Sequence, residues 1–230
     1  MLMAVSSAAY KFLMVDIGES GRQSDGSVYY NIDLGFAIEN DLINMPAKKN
    51  LPNSNRKLPY VFTGDDAFGH KPHIMTPYPK QYLPVDERIF NCRLSRARRI
   101  VENAFGLATT RFRIFRRPII ASVERVIAIT KSVVALHDFL LTIQEENQNF
   151  KYCTSTYVDR ETSRGVVEGE WRAEAQSNTG LLNIPKISSN NYSLFAGVVR
   201  DQYKEYFNKE GAVDWQWDKA NCTSSNLNEQ

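Results

Sequence analysis

Three observations predict an α/β fold for this chain. Short β-prone runs fall early, at 10–15 and 60–63, and stretches of helical periodicity follow from about residue 86. The 230 residues are 43% hydrophobic and 11% aromatic, enough to build a core rather than a disordered chain.

Taken in order, the opening "MLMAVSSAAYKFLMVD" is apolar but lacks a basic lead, and Lys11 interrupts it. It reads as strand entering a glycine-rich turn, not as a signal peptide. The turn, "DIGESGRQSDGSVYYN", holds Gly18, Gly21 and Gly26, and matches neither a P-loop nor a dinucleotide fingerprint. Residues 28–45 include a short helix or strand, and 45–59 form a basic surface loop rich in Pro and Asn. The strand at 60–63 then meets Gly64 and two adjacent acids, Asp65 and Asp66. If the strand continued through both, their side chains would point to opposite faces. Residues 69–84 contain too much proline for a long helix.

From about 86 to 112, Leu94, Ala97, Val101, Ala104, Ala108 and Phe112 recur at spacings of three and four, which gives one apolar helical face. A second helix, 122–146, follows Pro118 and buries a stripe through Val126, Ile129/Thr130, Val133, Leu136/His137 and Leu140, with His137 read as a hydrogen-bonded core histidine. Residues 150–190 show little periodicity and read as linker or loop. A final helix is expected over 191–207, with Ser193 as N-cap, ahead of a disordered tail.

Residues 88–117 carry nine arginines, no lysine and one acid, Glu102. Arginine without lysine suits bidentate phosphate contact, and Arg93, Arg96, Arg98, Arg99, Arg111 and Arg113 are the candidates. A solvated, salt-bridged helix face accounts for the same pattern. Three widely spaced cysteines, Cys92, Cys153 and Cys222, suggest reduced thiols and an intracellular setting. No membrane association is expected, because no apolar run approaches bilayer-spanning length.

Asp65 at a strand end and Glu102 on a helix, with 36 residues between them, form the pair that carries chemistry. Carboxylates holding Mg²⁺ or Mn²⁺ are a common means of cutting and joining nucleic-acid strands. Spacing alone favours an ion pair of Glu102 with Arg98 or Arg99 on the same helix. His70 and His73 lie three apart in a proline-broken segment and read as loop polarity rather than zinc ligands.

The wording around the pair is more specific. "FTGDDAFGHKPHIMTPYP", "ERIFNCRLSRARRIVENAFGLATTRFRIFRRPI" and "ALHDFL" closely resemble the Harbinger/PIF family of DDE transposases and the nuclease-like host proteins derived from them. "FLMVDIGESGRQSDGSVYYN", "GEWR" and "VRDQYKEYFNKEGAVDWQ" extend the resemblance over roughly residues 8–217. It implies an RNase H-like core, a mixed sheet flanked by helices, with a helical and irregular C-terminal extension. It also implies catalytic, metal-binding acids, which fall on Asp65 in Gly64-Asp65-Asp66-Ala67-Phe68 and on Glu102 in Val101-Glu102-Asn103-Ala104-Phe105-Gly106. Asp25 is placed beside the site by the same likeness, although a turn-forming aspartate explains it at least as well. The family's first aspartate belongs to an earlier strand than any in this chain, and Asp16 is not a motif match, so a partial nuclease domain lacking its first strand is expected over 1–146. Residues 147–190 are then linker, 191–217 a C-terminal helix and 218–230 a tail. The implied activity is metal-dependent phosphodiester cleavage or strand transfer on DNA in the nucleus, with the cytoplasm as a second compartment and a separate DNA-binding protein as a further partner. The alternative is a domesticated, inactive DNA- or chromatin-binding protein.

Overall fold

The computed structural model describes residues 2–18, 29, 33–40, 42–71, 73–79, 82–147, 149–162, 165–175 and 194–222. In chain order its elements are β1 (Leu2–Ser6), β2 (Phe12–Ile17), α1 (Asp33–Glu39), β3 (Lys49–Asn50), β4 (Lys57–Leu58), β5 (Phe62–Thr63) and β6 (Ile74–Met75). They continue with α2 (Val85–Arg111), a 3₁₀ turn (Arg113–Arg116), α3 (Val123–Glu146), β7 (Arg160–Thr162), β8 (Gly165–Val167), α4 (Glu170–Ala175), α5 (Leu194–Asn208) and α6 (Trp215–Cys222). This is the mixed α/β content the sequence predicts, with the strands among the described residues in four two-stranded sheets. The chain divides into two compact units, one of residues 1–23 and 99–184, the other of 24–98 and 185–230.

In the first unit β1 and β2 form an antiparallel hairpin, from Leu2 opposite Ile17 to Ser6 opposite Phe12, with a slip after Val5. Ser7 closes its turn: its N–H donates to Lys11 O at 2.8 Å, and its hydroxyl accepts from the N–H groups of Ala9 and Lys11. The opening therefore contains two strands where its composition suggested one. Phe12 packs on Ala104 and Ala108, whose small side chains give the strand access to the helix. The Phe12 N–H donates to Asp138 Oδ1 at 2.9 Å, which ties β2 to α3.

The buried stripe of α3 is Thr130, Val133, His137 and Leu141, close to the expected face, while Leu136 remains 48% exposed. His137 is fully buried between the Tyr10 carbonyl and the Tyr152 hydroxyl, each 2.9 Å away. A carbonyl can only accept, so Nε2 carries the proton and Nδ1 accepts from the tyrosine. The ring is the core histidine the sequence suggests. One expectation needs correction, however: by length and composition α3 is apolar enough to cross a bilayer. Its hydrogen bonds to β2 and Tyr152 tie one of its faces into this unit.

A second correction concerns residues 150–175. They lack periodicity, yet they contain the β7–β8 hairpin and α4, and Tyr152, Tyr157 and Val158 are buried. Tyr152 and Tyr157 join Leu107 and Leu141 in one cluster. Side-chain contacts, which leave no sequence period, hold this stretch.

In the second unit β5 and β6 pair in parallel, Phe62 opposite Ile74 and Thr63 opposite Met75. Met75 packs with Phe90, Leu94 and Val199, under Val61, Tyr78, Tyr203 and Phe207. The Tyr203 and Tyr206 hydroxyls donate to the carbonyls of Pro59 and Pro52, anchoring the proline- and asparagine-rich loop to α5. The irregular segment after the acid pair thus contributes a short strand, because His73 O and Met75 O accept from Phe62 and Gly64.

Candidate active site

Asp65 lies in the second unit, just past the end of β5. The strand stops at Thr63, so alternation along it is not what distinguishes the two acids. A turn does so instead: Asp65 Oδ1 accepts the Ala67 N–H at 3.0 Å and Asp65 O accepts that of Phe68. Asp65 is half-buried and Asp66 exposed. Gly64 sits under this turn, where an added Cβ would lie 3.2 Å from both Ile74 and Phe68. Asp65 Oδ2 is 3.8 Å from the Arg98 guanidinium.

Glu102 lies in the first unit on α2, 48% exposed at its side chain. The expected intrahelical pairing does not form. Arg98 faces Asp65, and Arg99 donates to Glu161 at 2.9 Å. Glu102 instead meets Arg172, at 3.5 Å between Oε2 and Nη2. Arg172 is held by Asp159, with Nε at 2.9 Å from Oδ1 and Nη2 at 2.5 Å from Oδ2. The Asp159 carboxylate is completely enclosed and also accepts the Gly169 N–H at 2.9 Å. Burial pushes this carboxyl up, but the Arg172 hydrogen bonds, the Gly169 N–H and the charges of Arg172 and Arg99 outweigh burial and hold it below its ordinary range.

Asn103, one residue past Glu102, fastens this assembly to α2. Its Oδ1 accepts the Asp159 N–H at 3.0 Å and the Trp171 indole N–H at 2.9 Å, and its Nδ2 donates to Asp159 O at 3.3 Å. Trp171 packs against Gly106, where a Cβ would fall 2.3 Å from the ring. The glycine that ends the Val101–Gly106 motif is therefore the floor on which this tryptophan rests. Asn103, Asp159, Trp171 and Arg172 were not assigned roles from sequence; the available signal was "GEWR", whose Trp and Arg are the two residues that reach α2.

Most of the candidate phosphate-binding arginines are engaged within the chain. Arg93 lies 4.8 Å from the Phe207 ring and Arg96 3.5 Å from that of Trp215. Arg111 donates to Tyr152 O at 2.9 Å and lies over Tyr157. Arg113 is exposed and has no ion pair among the described residues. Asp25 lies outside the described residues, as does Ser193.

Carboxylate oxygen is the donor that Mg²⁺ and Mn²⁺ take, and such ions use one or two protein carboxylates plus water and phosphate, so Asp65 and Glu102 fit the chemistry of the group. Among the described residues no three His, Cys, Asp or Glu side chains gather at one point.

A family model described as a DDE superfamily endonuclease matches residues 1–138, more than half of the chain, and the protein belongs to that family. No curated protein and no solved structure matches the chain. The matched span includes Asp65 and Glu102 and ends before Asp159 and Arg172. This is a nuclease family whose substrate is DNA.

Proposed function

We propose that this chain is a Harbinger/PIF-type DDE nuclease domain with an RNase H-like core, and that Asp65 and Glu102 are its metal-binding, catalytic carboxylates. The observation that carries the reading is that the family match runs through both motif acids. A bound Mg²⁺ or Mn²⁺ would activate an oxygen nucleophile and stabilise the departing oxygen of an in-line displacement at phosphorus. The new P–O bond forms as the opposite one breaks, and the departing oxygen takes up a proton. Asp65 is oriented for its part by the Ala67 N–H, and Glu102 by the Arg172 guanidinium. Among the six candidate arginines, exposed Arg113, with no ion pair among the described residues, is the one assigned to DNA phosphate. The nucleus is the compartment this substrate implies, and a separate DNA-binding protein would supply target choice.

A second reading is favoured by one feature: each motif acid already faces an arginine. In that reading the chain is a domesticated protein that binds DNA or a chromatin partner without cutting it.

Calorimetric titration with Mn²⁺ separates the two. The nuclease reading expects binding that weakens in Asp65→Ala and again in Glu102→Ala. Equal affinity in wild type and both variants would sink the site and leave the non-cutting reading standing.

A further inference from the structure

Arg172 lies 3.5 Å from Glu102, and Arg99 stands three residues before Glu102 on the same helix. Either could neutralise its carboxylate, and a neutralised carboxylate attracts a divalent cation poorly. Both are held elsewhere. Arg99 donates to Glu161 at 2.9 Å. Arg172 shares its Nη2 unequally, 2.5 Å from Asp159 and 3.5 Å from Glu102, and commits its Nε to Asp159 as well. The two captured arginines are thus held by acids only two residues apart. Asn103 locks the backbone of that stretch through both the N–H and the carbonyl of Asp159.

We propose that residues 159–161 act as a charge sink: by capturing Arg172 and Arg99, Asp159 and Glu161 keep Glu102 open to a divalent cation. They are positioning residues, working through the arginines without touching the ion. This inference rests on the reading of Glu102 as a metal ligand. The geometry sets it apart from simple fold support. Asp159 is enclosed and takes the Arg172 fork and the Gly169 N–H, whereas Glu102 receives only the longest contact of the same guanidinium. The arginine is neutralised on its buried side, so it can orient Glu102 without cancelling it.

The test is Mn²⁺ titration, by calorimetry, of the full chain in wild type, Glu102→Gln, Asp159→Asn and the double variant Asp159→Asn/Arg172→Gln. Asp159→Asn leaves the Arg172 charge to Glu102 and the nearby Glu168, and is expected to weaken Mn²⁺ binding roughly ten-fold, with the partial exposure of Glu102 limiting the loss. The double variant carries neither charge and is expected to return to wild-type affinity or better, a rescue that a merely structural role would not give. Wild-type affinity in Asp159→Asn, alongside loss in Glu102→Gln, would overturn the charge sink alone. Unchanged affinity in Glu102→Gln would remove the metal reading and this proposal with it. Should Asp159→Asn fail to fold, the double variant decides: a loss as deep as that of Glu102→Gln would show Arg172 assisting the cation, and would overturn the proposal.

Discussion

The arginines on either side of Arg98 dispose of their charge in different ways. Before it, Arg93 and Arg96 lie on aromatic faces, those of Phe207 and Trp215. After it, Arg99 meets Glu161 and Arg116 meets Glu174 at 2.7 Å, while Arg111 combines the Tyr152 carbonyl with the Tyr157 ring. A ring face accepts a guanidinium over a broad range of directions, while a carboxylate fixes it to a point. The first stretch therefore uses arginine chiefly against rings, with Arg93 adding long hydrogen bonds to Gly211 O and Gln216 Oε1 at 3.4 Å. The second uses it as charge that must be matched, and that is where Glu102 sits. One compositional feature, nine arginines in thirty residues, serves two physical purposes.

The largest effect expected from breaking this contrast lies at Gly106. Its substitution by valine would drive a side chain into Trp171, whose indole is fixed by Asn103 and cannot swing aside without surrendering that hydrogen bond. Overpacking of this kind should cost about 3 kcal/mol. A urea denaturation midpoint is the measurement, and a loss well under 1 kcal/mol would show that Trp171 is not held as described. Arg96→Gln, on the ring-stacked side, is expected to cost only about 0.5–1 kcal/mol in the same assay.

A smaller effect tests what the two units share. Each buries a histidine: His137 against the Tyr10 carbonyl in one, His70 against the Ala196 carbonyl at 2.9 Å in the other. Burial lowers the affinity of both rings for a second proton. The unfolded chain takes up those protons as pH falls through about 6.5, while the folded chain resists them, so stability declines on acidification. The slope should not exceed about 1.4 kcal/mol per pH unit for each histidine, and it begins below the unfolded-state value rather than above it. Thermal unfolding followed from neutral to mildly acidic buffer checks this. His137→Gln and His70→Gln should each remove part of the slope, and a slope untouched by both would show that other groups cause it.

How much of this was legible in the sequence depends on whether a period carried it. The helices α2 and α3 lie within a residue of their expected bounds, because apolar side chains recur along them every third or fourth position. The strand pair at 62–63 and 74–75 was half seen, since two residues among prolines leave no alternation to read. The acids of the candidate site were legible only as motif residues; spacing favoured an intrahelical pair for Glu102 that the structure does not form. What was missed is what long-range contact determines. Asp159 and Arg172 lie more than fifty residues beyond Glu102, in a stretch without periodicity. Only folding shows that Asn103 meets Asp159 and that Gly106 lies against Trp171, the neighbour of Arg172.

The smallest effect is the one most specific to function. Phosphate contact makes affinity for DNA fall with added salt, and each cation that neutralises a phosphate contributes close to one unit to the slope of log K against log salt. Arg113 projects into solvent and has no ion pair among the described residues, so it is available to a phosphate without breaking anything. Arg96 would first have to leave the Trp215 ring. Arg113→Gln should therefore reduce the salt slope for duplex DNA by about 1, and Arg96→Gln should leave it nearly unchanged. Fluorescence anisotropy across a salt series distinguishes the two. If Arg96→Gln flattened the slope and Arg113→Gln did not, the ring-stacked arginines would be the DNA-facing ones, released from their aromatic partners on binding. The stretch before Arg98 would then be a reserve of phosphate contacts rather than packing.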